Sequence, residues 1–256
     1  MRLPPPPRDL LARSALFLDF DGTRVELAEA PAAIRLPEGL PDLLARLSAV
    51  LDGRLAIVTG RSSADLRRHL DCAGLCIAGS HGAEMRRADG RETELSGGGV
   101  SAALRADADV FAAAHPGTLV EHKPAGLALH FRQAPAAERA IVELAERLAA
   151  ASGLAVQHGK CVVELRPAGI DKGLALRRLM AEPPFAGARP IFVGDDLTDE
   201  HGFEAATALG GGGVLVGAPR VTHAQWRLAD VGAVADWLEQ AAARAVSIFG
   251  RSAIAR

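Results

Sequence analysis

Asp19 and Asp21 stand two residues apart in "ALFLDFDGT" (residues 15–23), at the end of an apolar run. Two carboxylates exposed at a strand terminus can hold a metal ion and attack an electrophile. The architectural alternative is an Asp-Gly turn or a cap on the next element. A second acidic group, Asp195 and Asp196 with Asp199 nearby, occupies "GDDLTDE" (194–200). Between them lie Thr59 and Arg61 in "VTGR", the turn "GSHGAE" (79–84), and Lys172 in "DKG". Collected at one site, the acidic residues would repel strongly without a cation. Magnesium suits them, being hard, oxygen-loving and commonly seated between carboxylates and substrate phosphate. Lys172 adds positive charge at a helix start that already favours anions, and the Thr59 hydroxyl can donate to a phosphoryl oxygen.

These residues need a scaffold that brings distant segments together. "ALFLDF", "RLAIVTG", "GLCIAGS", "RPIFVGDD" and "GGGVLVG" are continuous apolar runs of strand length, and helical patterns separate most of them. Continuous apolar strands alternating with helices predict a Rossmann-like parallel sheet covered on both faces. In such a sheet, ligands bind beyond the carboxyl ends of the strands. Each motif alone could be a turn or a cap, but four polar strand ends on one sheet edge favour chemistry.

The pattern breaks after about residue 90. "DGRETELSGGG" (89–99) reads as a linker, and a helix-strand-strand order then occurs twice. The expected fold is therefore α/β, with a small α+β cap domain at 98–168 inserted into a core formed by 1–97 and 169–256. In "GLALHFR", alternation places Leu127, Leu129 and Phe131 on one face and His130 and Arg132 on the other. In "KCVVELR", Cys161, Val163 and Leu165 oppose Lys160, Val162 and Glu164, while Glu121 and Lys123 point the same way. The charged face is either a solvated surface with cross-strand ion pairs or a surface for hydroxyl-rich ligands.

Composition narrows the classes. Of 256 residues, 49% are hydrophobic and 23% charged, which suffices for a substantial core, and the net charge of −2 gives no footprint for nucleic acid. Cys72, Cys76 and Cys161 lack the spacing of a disulfide framework or zinc site and read as free thiols. No apolar stretch is long enough to span a bilayer. The expected location is cytoplasmic, and the expected state is a monomer with no nucleic-acid or membrane partner.

In order, "DFDGT", "VTGR", the "DKG" lysine and "GDD" resemble the four motifs of the haloacid dehalogenase-like hydrolases, over nearly the whole chain. That resemblance implies that Asp19 attacks phosphorus and that Asp21 acts as acid and then base. It also implies that Thr59 and Lys172 hold phosphate, and that Mg²⁺ is bound by Asp19, the Asp21 carbonyl and Asp195, with Asp196 beside them. More finely, "GSHGAE", "VEHKPAGLALHFRQAP", "GKCVVELRPAGIDKG" and "VGDDLTDEHGF" resemble the trehalose-6-phosphate phosphatase family. The implied substrate is a small sugar phosphate, trehalose 6-phosphate, hydrolysed to trehalose and phosphate through an aspartyl-phosphate. Its implied contacts are Asp19, Phe20, Asp21, Arg61 and His81 in the core, and Glu121, Lys123, Arg132, Lys160 and Glu164 in the cap, which closes to exclude water. Glu84 joins His81 at the entrance in this reading. Two residues depart from the family pattern. Arg24 replaces an apolar residue and either reaches phosphate or lies on the surface, and Val162 stands where some members carry a polar side chain. The competing readings are a phosphatase for another sugar phosphate, such as sucrose phosphate or glucosylglycerate phosphate, and an idle sugar-phosphate binder of the same fold.

Overall fold

The computed structural model describes residues 3–25, 34–94, 100–123, 125–159 and 161–252, with side chains throughout except at 94 and 244–252. The chain divides into two compact units, Met1–Thr93 with Asp171–Arg256, and Glu94–Ile170.

The first unit begins with β1 (Ser14–Leu18), α1 (Leu40–Val50), β2 (Leu55–Val58), α2 (Ser63–His69), β3 (Cys76–Gly79), β4 (Glu84–Arg86) and β5 (Glu92–Glu94). The second unit contains α3 (Ala102–Ala114), β6 (Leu119–His122), β7 (Leu127–His130), α4 (Glu138–Ser152), β8 (Leu154–Gly159) and β9 (Val162–Pro167). The first unit resumes with α5 (Lys172–Met180), β10 (Arg189–Gly194), α6 (Glu200–Ala208), β11 (Gly212–Val216), β12 (Trp226–Leu228) and α7 (Val231–Ser252). Among the described residues, no helix is long and apolar enough to cross a membrane.

The large sheet has the order β12-β11-β10-β1-β2-β3-β4-β5. Its pairs from β12 through β3 are parallel, and β4 returns antiparallel to β3. β5 continues the sheet, so residues 92–94 of the expected linker are strand, whereas 95–99 lie outside the described residues. A three-residue polar strand carries too little periodicity to be told from a loop.

Alternation along the strands sorts the core into two layers. Leu16, Leu18, Leu55, Ile57, Ile191 and Val193 face the layer built by α1 and α7. Ala15, Phe17, Ala56, Val58 and Phe192 face the layer built by α5 and α6. The order of strands reverses between β1 and β10, since β2 and β3 follow on one side and β11 and β12 on the other. Such a switch point opens a crevice at the strands' carboxyl ends.

Arg24 is not at the surface, and no anion engages it among the described residues. It is 3% exposed, and its Nε and Nη1 have no hydrogen-bond partner among the described residues. Burial lowers its pKa to about 10, with only the charge of Glu239 opposing, and that carboxylate is held by Arg46 at 2.7 and 2.9 Å. A buried charge without a partner is destabilising, and an apolar side chain of similar volume removes the penalty. Arg24→Met is therefore expected to stabilise the protein by about 1–3 kcal/mol. The check is a urea midpoint that rises with an unchanged m-value.

The second unit has an antiparallel sheet in the order β6-β7-β9-β8. Leu127, Leu129, Val163 and Leu165 pack with Ile141, Leu144 and Leu148 of α4 and Ala108 of α3, giving this unit a core of its own. The three cysteines are free, and Cys72 and Cys76 are buried.

Candidate active site

The alternation that builds the core also aims the acidic residues. Asp19 follows β1 in phase with Ala15 and Phe17, on the face covered by α5 and α6. Phe20 falls in the opposite phase and is fully buried with the α1 and α7 layer. The expected substrate contact at Phe20 is thereby confined to its backbone.

Lys172 is the first residue of α5, placed there by Asp171, whose side chain caps the helix by accepting from the Leu174 amide at 2.7 Å. A cation at a helix N-terminus opposes the helix dipole, so it requires compensation. Two carboxylates provide it: Lys172 Nζ donates to Asp19 Oδ1 and to Asp199 Oδ1, each at 2.6 Å. All three residues are buried. Asp19 and Asp199 raise the Lys172 pKa against the lowering effect of burial, so the ammonium is kept charged.

Asp195 completes the group. Thr23 Oγ1 lies 3.3 Å from Asp19 Oδ2 and 3.2 Å from Asp195 Oδ1, bridging the ends of β1 and β10. Oxygens of Asp19, Asp195 and Asp199 all lie within 4.8 Å of one another. Glycines make room for this crowding: a Cβ on Gly22, whose φ is +77°, would collide with the Asp195 carboxylate, and one on Gly194 with Asp199. Burial and then the Asp199 charge push the Asp19 carboxyl well above the ordinary range, against the pull of Lys172. Burial and Asp199 also push Asp195 up to about 6. Three oxygen donors held this close, in a setting that resists their joint ionisation, fit a hard divalent cation such as Mg²⁺.

The membership of this cluster differs from the expected metal set. Asp196 Oδ1 instead accepts from the Leu197 amide at 2.7 Å and caps the turn Leu197–Asp199. Asp199, in return, accepts from the Asp196 amide at 2.9 Å and points its other oxygen at Lys172. Arg220 braces the same loop, donating to the Asp196 carbonyl at 2.8 Å and pairing with Glu200. Asp21 brings no carboxylate oxygen to the cluster, which leaves it only the carbonyl role that the resemblance implies. Its carboxylate receives Arg61 Nε and Nη2, each at 2.7 Å. Arg61 is thus on Asp21 rather than oriented as an independent phosphate ligand, and its Nη1 donates to Asp65 at 2.7 Å.

Thr59 follows β2, and its hydroxyl oxygen accepts from the Arg61 amide at 3.1 Å, which leaves the hydroxyl proton to donate. His81 is buried in the turn after β3, with φ of 58°. Its ring lies 2.8 Å from where a Cβ on Gly60 would stand, so it packs against the Thr59–Arg61 turn. Glu84 does not line an entrance: it is buried, accepts from the Ser63 amide at 3.0 Å, and takes the Ser80 hydroxyl.

On the sheet of the second unit, Glu121, Ala128, Glu164 and Gln157 form one row across four strands. Lys123 Nζ bonds Glu164 at 2.6 Å, and His130 Nε2 lies 2.9 Å from Glu121. Hydrogen bonding to His130 and the Lys123 charge hold Glu121 below the usual range, although burial, the largest single influence, opposes them. Arg132 is exposed just beyond β7. Lys160 lies outside the described residues. The row gathers carboxylates, an ammonium, an imidazole and an amide on one side of a sheet whose other side is apolar.

A family model described as trehalose-phosphatase matches residues 17–230. The chain belongs to the trehalose-phosphatase family. It is 40% identical over 236 residues to trehalose-6-phosphate phosphatase of Escherichia coli, covering 90% of this chain and 87% of that one. The C-terminal domain of the Candida albicans trehalose-6-phosphate phosphatase superposes with a TM-score of 0.80 at 25% identity, over 94% of this chain and 98% of that one. A Bacteroides thetaiotaomicron phosphatase of the haloalkanoate superfamily shares the fold, with a TM-score of 0.58, 18% identity, and coverage of 96% and 98%.

As a trehalose-phosphatase family member, the protein is a phosphoric monoester hydrolase. The polar clusters of the two units, each taken by itself, also include residues that sequence reasoning did not assign. Thr23 was visible inside "DGT" but has no distinctive spacing of its own. His130 lay on the correct strand face, and only the register with β6 reveals Glu121 diagonally across from it, one pair removed. Asp65 carried no motif signal, because its role depends on the direction that Arg61 takes.

Proposed function

We propose that this trehalose-phosphatase family member hydrolyses trehalose 6-phosphate to trehalose and phosphate, using Mg²⁺ and an aspartyl-phosphate on Asp19. The supporting observation is the buried group of Asp19, Lys172, Asp195 and Asp199 at the switch point of the sheet. An Asp19 oxygen attacks phosphorus while the bond to the sugar oxygen breaks, and Asp21 gives that oxygen a proton. Water then attacks the aspartyl-phosphate, Asp21 takes its proton, and the bond from phosphorus to Asp19 breaks. Lys172 holds Asp19 in place, and the Thr59 hydroxyl donates to the transferring phosphoryl group. Bound Mg²⁺, held by Asp19 and Asp195, would supply neutralisation of the phosphate charge. The polar row of the second unit, with Glu121, Lys123, Glu164 and exposed Arg132, has the donors and acceptors to recognise sugar hydroxyls.

The test is phosphate release from trehalose 6-phosphate beside glucose 6-phosphate, sucrose 6-phosphate and glucosyl-3-phosphoglycerate. Trehalose 6-phosphate is expected to be strongly preferred. Chelation is expected to lower the rate by about a thousandfold, which corresponds to several kcal/mol of lost charge stabilisation. Mg²⁺ should also raise the melting temperature, since it binds only the folded arrangement of carboxylates. Preference for another ester would overturn the substrate, and activity indifferent to chelator would overturn the metal.

A further inference from the structure

Arg61 lies between two carboxylates that come from different elements. Asp21 Oδ2 and Oδ1 take its Nε and Nη2, and Asp65 Oδ2 takes its Nη1, all at 2.7 Å. The guanidinium presents its donors in one plane. Holding the Nη1 end therefore fixes the direction in which the Nε and Nη2 edge faces. The Arg61 side chain is 9% exposed, so the surrounding protein also limits its rotation.

Asp65 is itself fixed from the other side. It stands in the first turn of α2, and its amide donates to the Ser62 hydroxyl at 3.1 Å, so the helix cap sets its position. Its other basic neighbours among the described residues, the Arg68 guanidinium and the His69 ring, stand farther away at 3.9 and 4.0 Å. The sequence of contacts is thus helix cap, Asp65, Arg61, Asp21. No motif of the family resemblance contains Asp65.

We propose that Asp65 is a positioning residue for the hydrolytic reaction, acting through Arg61 to orient the Asp21 carboxylate. The inference rests on the reading of Asp21 as the group that protonates the leaving oxygen. A carboxylate held at both oxygens by a fixed fork has one orientation. Without Asp65 the fork can turn about the Arg61 side chain, and Asp21 turns with it.

Leaving-group chemistry separates this role from a merely structural one. A sugar alkoxide needs a proton as it departs, whereas p-nitrophenolate does not. Asp65→Ala is expected to lower kcat/KM for trehalose 6-phosphate by about 10- to 100-fold, a part of what general acid catalysis contributes. The loss with p-nitrophenyl phosphate is expected to stay below about threefold, because that step draws little on the acid. In an Arg61→Ala background, Asp65→Ala should change the ratio of the two esters no further, since the two residues act as one unit. Asp65→Asn, which keeps an acceptor for Arg61, should show a smaller loss with the same selectivity, and it serves if the alanine variant unfolds. Equal losses on both esters, no loss on either, or an undiminished effect without Arg61 would each overturn the proposal. Wild-type turnover reports separately on the functional reading. Cleavage of p-nitrophenyl phosphate but not trehalose 6-phosphate would overturn the substrate assignment, and the ratio would then be taken against glucose 6-phosphate.

Discussion

Asp19→Asn is expected to abolish phosphate release while leaving a folded protein. The amide lacks the charge and nucleophilicity needed to open the reaction, and two neighbouring carboxylates are already engaged elsewhere. Asp199 is tied to Lys172 and the Asp196 amide, and Asp21 is tied to Arg61. The rate should fall at least about 10⁴-fold, as when other covalent nucleophiles are removed. Stability should move the other way in chelator. The Asp19 carboxyl is held well above its ordinary range because its charged form is disfavoured by burial and by Asp199. An acid whose pKa is raised by folding loses stability as pH climbs past its unfolded value, so at neutral pH the charge is a liability. Removing it should raise the metal-free melting temperature, while the amide oxygen can still accept from Lys172. Phosphate release and a thermal melt in chelator check both halves, and retained turnover would remove Asp19 from the reaction.

Lys172→Met is expected to damage both stability and activity. The methionine keeps an apolar stem of similar length but leaves the buried carboxylates of Asp19 and Asp199 with no ammonium between them. Breaking a buried pair by removing one partner costs about 3–5 kcal/mol, because the remaining charge stays out of water. Here two carboxylates lose the same partner, so the upper part of that range applies in chelator. Mg²⁺ should recover part of the lost stability by supplying positive charge to the same cluster. Activity should fall by about 10²–10³-fold even in saturating metal, since a fixed charge beside the reacting phosphate has been lost. Urea midpoints with and without Mg²⁺, together with kcat at saturating metal, check this. A stability change below about 1 kcal/mol in chelator would mean that the carboxylates are not charged when folded.

Legibility from sequence followed periodicity. The apolar runs of β1, β2, β3, β10 and β11 were readable because buried parallel strands leave long unbroken signals. The consequence of alternation for Phe20 was readable too, since its phase matches Leu16 and Leu18 and assigns it to the core. Residues in turns were not readable in the same way. The choice between Asp196 and Asp199 depends on a short capped turn, where neighbouring carboxylates diverge by backbone conformation alone. Arg61 and Asp65 are four residues apart, a spacing that normally marks an unremarkable surface pair. Only the fold reveals that their shared end meets Asp21. Arg24 runs against every rule for charged residues, and nothing in its neighbours' identities signals burial.

The strand order also sets a timetable for assembly. β1 pairs with β10 in register from Ser14↔Arg189, and Lys172 stands 153 residues beyond Asp19. During synthesis the central strand therefore waits for its partner while the whole second unit is made. That unit needs nothing later than its own strands to close its core. A nascent chain stopped just before β10 would carry a complete second unit, with Asp19 still lacking Thr23's partner Asp195 and the Asp199 that shares its lysine.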